Sequence, residues 1–295
     1  MILMNRCVII GAGPGGMSAA LYLKRSGITP IIIDDMPGGE LLKLGRIDNY
    51  LGLQTDGITL AMNMIDQLKE NDISIVKDRV TLVSKCSSGF KVCLKKGGDI
   101  FCSNVILSSG KKPKLLGING EDKLIGHGIS YCAVCDGAFY RGKDVCVVGS
   151  GDGAFSEALY LSKLCNKVYI LARSDLRASN ELISKTSNSN IFVLKNSSIA
   201  SFIYEDNISG VILSDGKQLD VSGIFVSIGG VPQSNILDFS VDMKDGYIIT
   251  DENMESSVKG FYAIGDVRLK KFYQISIAVA EGAIAALNVG GDADV

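Results

Sequence analysis

The sequence predicts an α/β fold of two domains, each containing one copy of a β-α-β unit, with the second domain inserted in the first. Residues 7–35 and 146–173 each run through an apolar strand, a glycine-rich turn, a helix with the letters ALYL, and a second apolar strand. Short alternating segments typical of antiparallel strands follow each copy. A chain of 295 residues, 46% of them hydrophobic, is long enough to bury two cores.

Both copies have the glycine spacing of a dinucleotide-binding turn. The three positions allow a tight turn, close approach of a diphosphate to the backbone, and close packing of helix against strand. They are Gly11, Gly13 and Gly16 in the first copy and Gly149, Gly151 and Ala154 in the second. Because both copies lie between a strand and a helix, we predict two Rossmann-like (three-layer, ββα-type) nucleotide-binding domains. The first copy also ends its second strand at Asp34, which either accepts hydrogen bonds from an adenosine ribose or is a turn residue.

The other segments set the expected domain boundaries. Residues 70–107 read as a small antiparallel ribbon that returns to the parallel sheet, and residues 110–122 have the composition of a linker. Residues 260–288 give a short strand, a loop and an Ala-rich helix, which we expect to rejoin the first domain. The predicted domains are residues 1–112 with 243–295, and residues 113–242.

Charge and hydropathy exclude several classes of partner. Thirty basic and 32 acidic residues give a net charge of −2, which supplies no large field for nucleic acid or an anionic membrane. No apolar run approaches the roughly 18 residues that cross a bilayer. Residues 1–6 lead directly into a strand and do not resemble a signal peptide. We therefore expect a cytoplasmic chain whose partners are proteins or small molecules.

Two of the eight cysteines stand apart from the rest. Most lie inside apolar runs and read as small hydrophobic residues. Cys132 and Cys135 form a C-x-x-C pair followed by Asp136. A zinc site would need two further ligands, but the chain has one histidine, His127, which we interpret as a surface residue, and no second C-x-x-C, so we predict no metal. A permanent disulfide is disfavoured in a reducing compartment, so a reversible redox pair is the favoured interpretation.

With these motifs assembled, nearly the whole chain resembles the low-molecular-weight thioredoxin reductases, the small FAD-dependent disulfide reductases. The motifs that carry the resemblance are GAGPGGMSAALY, GGEL, IDNYLG, CAVCDGAFYRGKDVCVVGSGDGAFSEALYL and FYAIGDV…Q…AEGAIAAL. The resemblance implies an FAD domain split around an inserted nucleotide domain, with the C-x-x-C of the insert facing the flavin. It also implies a homodimer, and a rotation between the domains about segments near 111–117 and 240–247.

The resemblance assigns roles to the redox residues. It implies that Cys135 lies nearest the isoalloxazine and receives electrons from it, while Cys132 attacks the disulfide of thioredoxin. Asp136 would exchange protons with the dithiol, which suits a carboxyl in a partly desolvated cleft, where its pKa rises. The alternative for Asp136 is a helix or turn cap.

The resemblance also assigns an FAD site. Asp266 would hydrogen-bond the ribityl or phosphate region, and Asn49 and Gln274 would contact the ring. Glu40 stands where the family commonly has Gln. The expected FAD residues are Gly11, Gly13, Pro14, Gly15, Gly16, Asp34, Gly39, Glu40, Leu41, Asn49, Gly110, Gly265, Asp266, Gln274 and Ile275.

The second unit departs from the family in its 2′-phosphate clamp, which is normally His-Arg-Arg with a further Arg. Here Ala172 replaces the His and Ser174 replaces one Arg. Loss of one charge-assisted contact costs about 1.5 to 3 kcal/mol, so NADPH binding should weaken. Ala172 supplies no acid for the free 2′-hydroxyl of NADH either. The expected NADPH residues are Gly149, Gly151, Ala154, Arg173 and Arg177.

Two electron donors therefore stay open: NADPH, or reduced ferredoxin as in the ferredoxin-linked reductases of some anaerobes. Arg268, Lys270 and Lys271 either help to dock an acidic ferredoxin or form solvated surface. Tyr273 stands at a position that is commonly basic in the family, and it either stacks near the flavin or packs. The other functions considered are a non-catalytic redox-sensing flavoprotein and a ferredoxin–NADP reductase-like enzyme. The C-x-x-C-D motif argues against both.

Overall fold

The structure, a computed structural model, describes residues 7–44, 46–186 and 189–291. The expectation that residues 1–6 are not a signal peptide lies outside this part of the chain. The chain divides into two compact units: unit 1 contains the described residues up to Lys112 and from Val231 onward, and unit 2 is Pro113–Gly230. Within the described ranges, no helix is both long enough and apolar enough to cross a bilayer.

The strands and helices follow in chain order. The strands before the insertion are β1 (Cys7–Ile10), β2 (Ile31–Ile33), β3 (Arg46–Ile47), β4 (Thr55–Asp56), β5 (Ile75–Val76), β6 (Val80–Cys86), β7 (Gly89–Leu94), β8 (Asp99–Cys102), β9 (Asn104–Leu107) and β10 (Lys111–Pro113). The later strands are β11 (Ile129–Ser130), β12 (Asp144–Val148), β13 (Lys167–Ala172), β14 (Ile191–Lys195), β15 (Ile199–Tyr204), β16 (Ile208–Leu213), β17 (Gln218–Leu219), β18 (Gly223–Val226), β19 (Gly230–Pro232), β20 (Met243–Lys244), β21 (Tyr247–Ile248) and β22 (Phe261–Ala263). The α-helices are α1 (Pro14–Arg25), α2 (Gly57–Glu70), α3 (Glu121–Leu124), α4 (Ala133–Asp136), α5 (Asp152–Leu161), α6 (Asn180–Thr186) and α7 (Ile275–Gly291). Short 3-10 helices span Gly39–Lys43, Gly137–Tyr140 and Gly265–Val267.

Unit 1 is built on a parallel sheet with the strand order β22-β9-β1-β2-β5. Side chains alternate between the two faces of a strand, so β1 serves two cores. Cys7 and Ile9 pack with residues of α1 and α7 in one core. Val8 and Ile10 pack with the antiparallel layer β6-β7-β8 in the other. The result is the predicted three-layer ββα arrangement.

Unit 2 repeats this architecture. Its parallel sheet has the order β11-β18-β12-β13-β14. Val145 and Val147 of β12 pack with residues of α5. Cys146 and Val148 face the antiparallel layer β15-β16-β17. The two-domain α/β fold predicted from the repeat is therefore confirmed.

The second domain boundary lies earlier than predicted. The first crossing, between Lys112 and Pro113, coincides with the expected boundary, but unit 1 resumes at Val231 and not at residue 243. The reason is that residues 236–241 already belong to the sheet and core of unit 1. The Val83 N–H donates to the Ile236 carbonyl at 2.7 Å, and Ile236, Leu237, Phe239 and Val241 pack on its second core.

The segment 240–247, expected to connect the domains, therefore lies inside unit 1. It contains β20, which pairs with β21 in an antiparallel hairpin. The two strands at the crossings, β10 and β19, pair with each other. The connections between the units are thus at 111–113 and 230–232.

Helix α7 packs on α1 through a glycine, and this contact generates a stability prediction. A Cβ at Gly282 would stand 2.2 Å from the Gly15 carbonyl oxygen and 2.9 Å from the Ala19 nitrogen, both backbone atoms. We expect Gly282→Ala to lower the free energy of unfolding by about 1 to 3 kcal/mol because the helices must move apart. Urea titration monitored by circular dichroism measures this change.

Gly291→Ala is the matched control on the same helix. A Cβ at Gly291 meets no atom within 4 Å. It should leave stability unchanged or slightly higher, because Ala favours the helix. Equal effects of the two substitutions would contradict the proposed close contact of α1 with α7.

Candidate active site

The C-x-x-C pair forms a disulfide at the start of a one-turn helix in unit 2. Cys132 and Cys135 are bonded, and both are half-buried. Cys132 precedes the first residue of α4, and its sulfur accepts a hydrogen bond from the Cys135 N–H at 3.2 Å. The sulfurs are thus held at the positive end of a short helix, where a thiolate is favoured.

Asp136 ends this helix and faces a hydroxyl that sequence reasoning missed. The Ser130 hydroxyl donates to its carboxylate at 2.6 Å. Burial raises the pKa of Asp136, as predicted for a partly desolvated carboxyl, and the hydrogen bond from Ser130 partly opposes this rise. Its side chain caps no helix N-terminus. The signal for Ser130 was available, since it is a polar residue in a buried strand two positions before the first cysteine of the pair.

Four further cysteines are buried and chemically quiet. Burial raises the pKa of Cys102 and Cys146 to about 12 and that of Cys165 to about 11, and it also raises the pKa of Cys7. They are small hydrophobic residues of the cores, as predicted. Cys86 and Cys93 are half-buried. Across the described ranges, no three His, Cys, Asp or Glu side chains cluster so that they could hold a metal ion. His127 is exposed, as predicted.

The first glycine turn leaves room for a diphosphate. A Cβ at Gly11 would stand 2.3 Å from the Ser108 carbonyl oxygen, and one at Gly16 only 1.9 Å from the Gly11 carbonyl oxygen. A Cβ at Gly13 would instead meet nothing within 4 Å. A side chain at the first or third glycine would therefore clash with the backbone, whereas the turn has open space at Gly13. Pro14 then starts α1, whose N-terminal N–H groups suit an anion.

Asp34 lies beside this turn, directly after β2. Its two carboxylate oxygens accept the N–H groups of Ala12 at 2.5 Å and Met36 at 2.8 Å. Each carboxylate oxygen has a second lone pair, so these bonds leave acceptor capacity for a ribose hydroxyl. The geometry suits both interpretations of Asp34, as a turn residue and as a ribose ligand.

Residues distant in sequence meet near the start of α7. The Asn49 amide donates to the Gln274 side-chain oxygen at 3.2 Å, although the two lie 225 positions apart. Gly39, Glu40 and Leu41 begin a 3-10 helix, in which Leu41 is buried and Glu40 exposed. Unit 1 therefore contains all the residues predicted for FAD, and unit 2 those predicted for NADPH.

Asp266 lies in a charged cluster organised by a second residue that sequence reasoning missed. Glu281 of α7 is only 4% exposed. Its carboxylate accepts the Gly265 N–H at 2.7 Å and pairs with Arg268 at 2.7 Å and Lys270 at 3.0 Å. Lys270 is also 3.7 Å from Asp266. Glu281 is the one charged residue of an otherwise uncharged helix, a pattern that signals a buried ion pair.

This cluster contradicts both alternatives considered for Arg268 and Lys270, a docking patch for ferredoxin and solvated surface. Their side chains are only 15% and 7% exposed, because both form ion pairs with the buried carboxylate of Glu281. Lys271 is exposed. Tyr273 packs under the Lys111 ammonium, 3.4 Å from the ring centroid, and against Tyr247. Burial raises the pKa of Tyr273 to about 12.

The second glycine turn, in unit 2, repeats the first. A Cβ at Gly149 would stand 2.4 Å from the Ser227 carbonyl oxygen, whereas one at Gly151 would meet nothing within 4 Å. The Arg177 side chain donates to the Ser150 hydroxyl at 3.2 Å, so this arginine lies at the turn. Arg173 is exposed, and Ala172 is buried at the end of β13.

Two glycine turns on parallel sheets and a disulfide beside a half-buried carboxyl define the class: a two-domain nucleotide-binding disulfide oxidoreductase. The sequence model of the pyridine nucleotide-disulphide oxidoreductases matches residues 5–282. The chain is 37% identical to a thioredoxin reductase of Treponema pallidum over 95% of this chain and 94% of that protein. It belongs to this oxidoreductase family and, within it, to the low-molecular-weight thioredoxin reductases.

Solved structures agree with this placement. A thioredoxin reductase from Streptococcus pyogenes matches with a TM-score of 0.92 and 34% identity, covering 100% of this chain and 99% of that one. A ferredoxin-flavin thioredoxin reductase from Clostridium acetobutylicum matches with a TM-score of 0.55 and 29% identity, covering 99% and 98%.

The raised pKa of Asp136 predicts a pH-dependent effect of Asp136→Asn on stability. The pKa of an Asp in an unfolded chain is about 4, and the folded chain binds the proton of the Asp136 carboxyl more tightly. The stabilisation is therefore full below the unfolded pKa and is lost as the pH rises through the folded pKa. Asn does not titrate, so the Tm of Asp136→Asn minus that of the wild type should be more positive at pH 8 than at pH 4.

Thermal melts at the two pH values measure this difference. Asp175→Asn, at an exposed carboxylate of the same unit, is the control and should show no such trend. If the Tm difference between Asp136→Asn and the wild type is the same at both pH values, this result would contradict a raised pKa for Asp136.

Proposed function

We propose that this protein is an FAD-dependent thioredoxin-disulfide reductase that takes its electrons from NADPH. One observation carries the proposal: a half-buried disulfide stands beside a carboxyl of raised pKa, in a chain with two glycine turns that each open onto empty space. The disulfide argues against a ferredoxin–NADP reductase-like enzyme. The adjacent acid argues against a redox sensor without catalysis, because it supplies a group for proton exchange.

The residues of unit 1 fit FAD. The open space at Gly13 suits the diphosphate, Asp34 has acceptor capacity for the adenosine ribose, and Asp266, Asn49 and Gln274 suit the ribityl chain and the ring. When bound, FAD supplies two-electron chemistry that connects a hydride donor with a disulfide. The protein would hold it through backbone N–H groups, the carboxylates of Asp34 and Asp266, and the side-chain amides of Asn49 and Gln274.

Thiol chemistry then follows on the protein's own residues. Once reduced, Cys132 attacks the disulfide of thioredoxin and forms a mixed disulfide, which releases one thioredoxin thiolate. Cys135 attacks the Cys132 sulfur, so the Cys132–Cys135 bond forms again and the second thioredoxin thiolate leaves. Asp136 exchanges the protons that accompany these steps. We propose a cytoplasmic homodimer as the working form.

Unit 2 contains the residues that bear on the identity of the electron donor. Gly149, Gly151 and Ala154 form a turn that suits the diphosphate of a nicotinamide nucleotide, and Arg173 and Arg177 supply positive charge. The replacement of two members of the expected 2′-phosphate clamp, by Ala172 and Ser174, means weak binding of NADPH.

Reduced ferredoxin is the second candidate. The incomplete clamp favours it, and a ferredoxin-flavin thioredoxin reductase is among the similar structures. Burial of Arg268 and Lys270 against Glu281 removes two of the three cations considered for docking an acidic ferredoxin, which is why we prefer NADPH.

A pair of matched substitutions separates the cofactor from the donor. Gly13→Ala fills the open space of unit 1 and Gly151→Ala that of unit 2, and neither new Cβ meets another atom of the chain within 4 Å. Gly13→Ala should weaken FAD binding about tenfold or more, through loss of a charge-assisted contact to the diphosphate. Gly151→Ala should keep the flavin and lose about tenfold or more of the NADPH-driven rate.

The readouts are flavin content and anaerobic bleaching of the flavin band by NADPH or by reduced ferredoxin. Rapid bleaching of the wild type by ferredoxin alone, unchanged in Gly151→Ala, would exclude NADPH as the donor. Normal flavin binding by Gly13→Ala would contradict the FAD site.

The two cysteines should behave differently when each is replaced. Both Cys132→Ser and Cys135→Ser should retain flavin and lose thioredoxin reduction to the level of a blank. Only Cys135→Ser should form a stable mixed disulfide, because its Cys132 attacks and nothing resolves the product.

The test uses a single-cysteine thioredoxin whose thiol carries a nitrothiobenzoate leaving group, with adducts separated on a non-reducing gel. Cys86→Ser, at a half-buried cysteine outside the pair, is the control with full activity. An adduct on Cys132→Ser would reverse the assigned roles.

A further inference from the structure

The Ser130 hydroxyl lies between the acid and the backbone of the redox pair. Its oxygen is 2.6 Å from a carboxylate oxygen of Asp136 and accepts the Cys132 N–H at 3.1 Å. A third contact, to the Cys132 carbonyl, is longer at 3.4 Å. A hydroxyl has one proton and two lone pairs, so the short contact takes the proton and a lone pair takes the N–H.

Ser130 is more deeply buried than the carboxyl it faces. It is 4% exposed and lies in β11, in register with Phe225 of β18. Asp136 ends the single turn of α4, and that turn also carries Cys135. The hydrogen bond from Ser130, in the buried sheet, to Asp136, at the end of the short helix, therefore fixes the orientation of the carboxyl relative to the sulfurs.

We propose that Ser130 is a positioning residue for the dithiol–disulfide reaction, whose hydroxyl holds the Asp136 carboxyl in the orientation from which it exchanges protons with Cys132 and Cys135. The inference rests on the acid role of Asp136 in the proposed function. The Ser130 hydroxyl would donate its proton to the Asp136 carboxylate and accept the Cys132 N–H with a lone pair. It would thereby link the acid to the backbone of the redox pair.

The reaction can be followed with dithiothreitol as the reductant. One dithiothreitol thiolate attacks the Cys132–Cys135 bond, and its second thiol closes the oxidised ring. The protein gains two electrons and two protons and becomes a dithiol. Asp136 gives a proton to the sulfur that leaves as a thiolate, and solvent restores the proton. The two thiols of dithiothreitol supply both electrons and the balancing protons.

The surroundings of Asp136 indicate how its pKa would change if the Ser130 hydroxyl were removed. Burial favours the neutral carboxyl, and the Ser130 proton favours the ionised one. Tyr140, in the next turn, also responds to this carboxyl: its own burial and, to a smaller extent, Asp136 raise its pKa. Without the hydroxyl, the carboxyl would stay protonated to higher pH and would no longer be oriented.

The experiment measures reduction of the Cys132–Cys135 disulfide by dithiothreitol from pH 5 to 9, with thiol trapping and mass spectrometry, in a Cys86→Ser, Cys93→Ser background. Ser130→Ala should lower the rate at pH 7 about tenfold, the value of one hydrogen bond to a charged group. The midpoint of its rate–pH profile, relative to wild type, should move to higher pH. Ser130→Thr, which keeps the hydroxyl, should restore both.

A double-mutant cycle separates positioning from a general structural effect. In an Asp136→Asn background, Ser130→Ala should change the rate no further, because its effect passes through the carboxyl. An unchanged profile for Ser130→Ala would overturn the inference. So would an equal loss with and without Asp136, or a failure of Ser130→Thr to restore the profile in a chain with wild-type Tm.

The assay needs neither flavin nor thioredoxin. Failure of the wild type to reduce thioredoxin would therefore contradict the proposed function while leaving the result on Ser130 intact.

Discussion

The close passage of a glycine over the neighbouring strand is the constraint on which both units depend. At Gly11 a Cβ would come within 2.3 Å of the Ser108 carbonyl oxygen, and at Gly149 within 2.4 Å of that of Ser227. Only glycine permits this approach, and both backbones also have positive φ. The chain can then turn from a central strand directly into a helix, α1 in unit 1 and α5 in unit 2. In both turns the second glycine, Gly13 or Gly151, has open space where a Cβ would lie.

The duplicated unit carries different chemistry at equivalent positions. Ile10 pairs with Ile33 in unit 1, and Val148 pairs with Leu171 in unit 2, so Asp34 and Ala172 are equivalent strand ends. Asp34 accepts two N–H groups beside the turn, whereas Ala172 is a buried methyl group. One strand end can recognise a ribose and the other cannot. This difference between the two strand ends is consistent with the FAD site and the weaker NADPH site that we propose.

Two buried acids, Glu281 and Glu121, differ from the half-buried Asp136 in the groups that they contact. Glu281 is satisfied by two cations and a backbone N–H, and Glu121 by two N–H groups and the Tyr131 hydroxyl. These partners satisfy the hydrogen-bonding capacity of the two buried carboxyl groups. Asp136 faces a neutral hydroxyl and lies beside a disulfide. An acid left incompletely compensated in this way is suited to move a proton.

The sequence by itself determined the local features: the strand and helix periodicity, the glycine turns, the C-x-x-C pair and its acid, and the first domain boundary at Lys112. Each depends on neighbours within a few residues, so its physical cause is visible in the letters. Only the tertiary structure decided the pairing of Asn49 with Gln274, the burial of Arg268 and Lys270 by Glu281, and the return to unit 1 at Val231. The reason is that a charge or an amide acquires its role from burial and from its partner, and distant segments supply both when they pack.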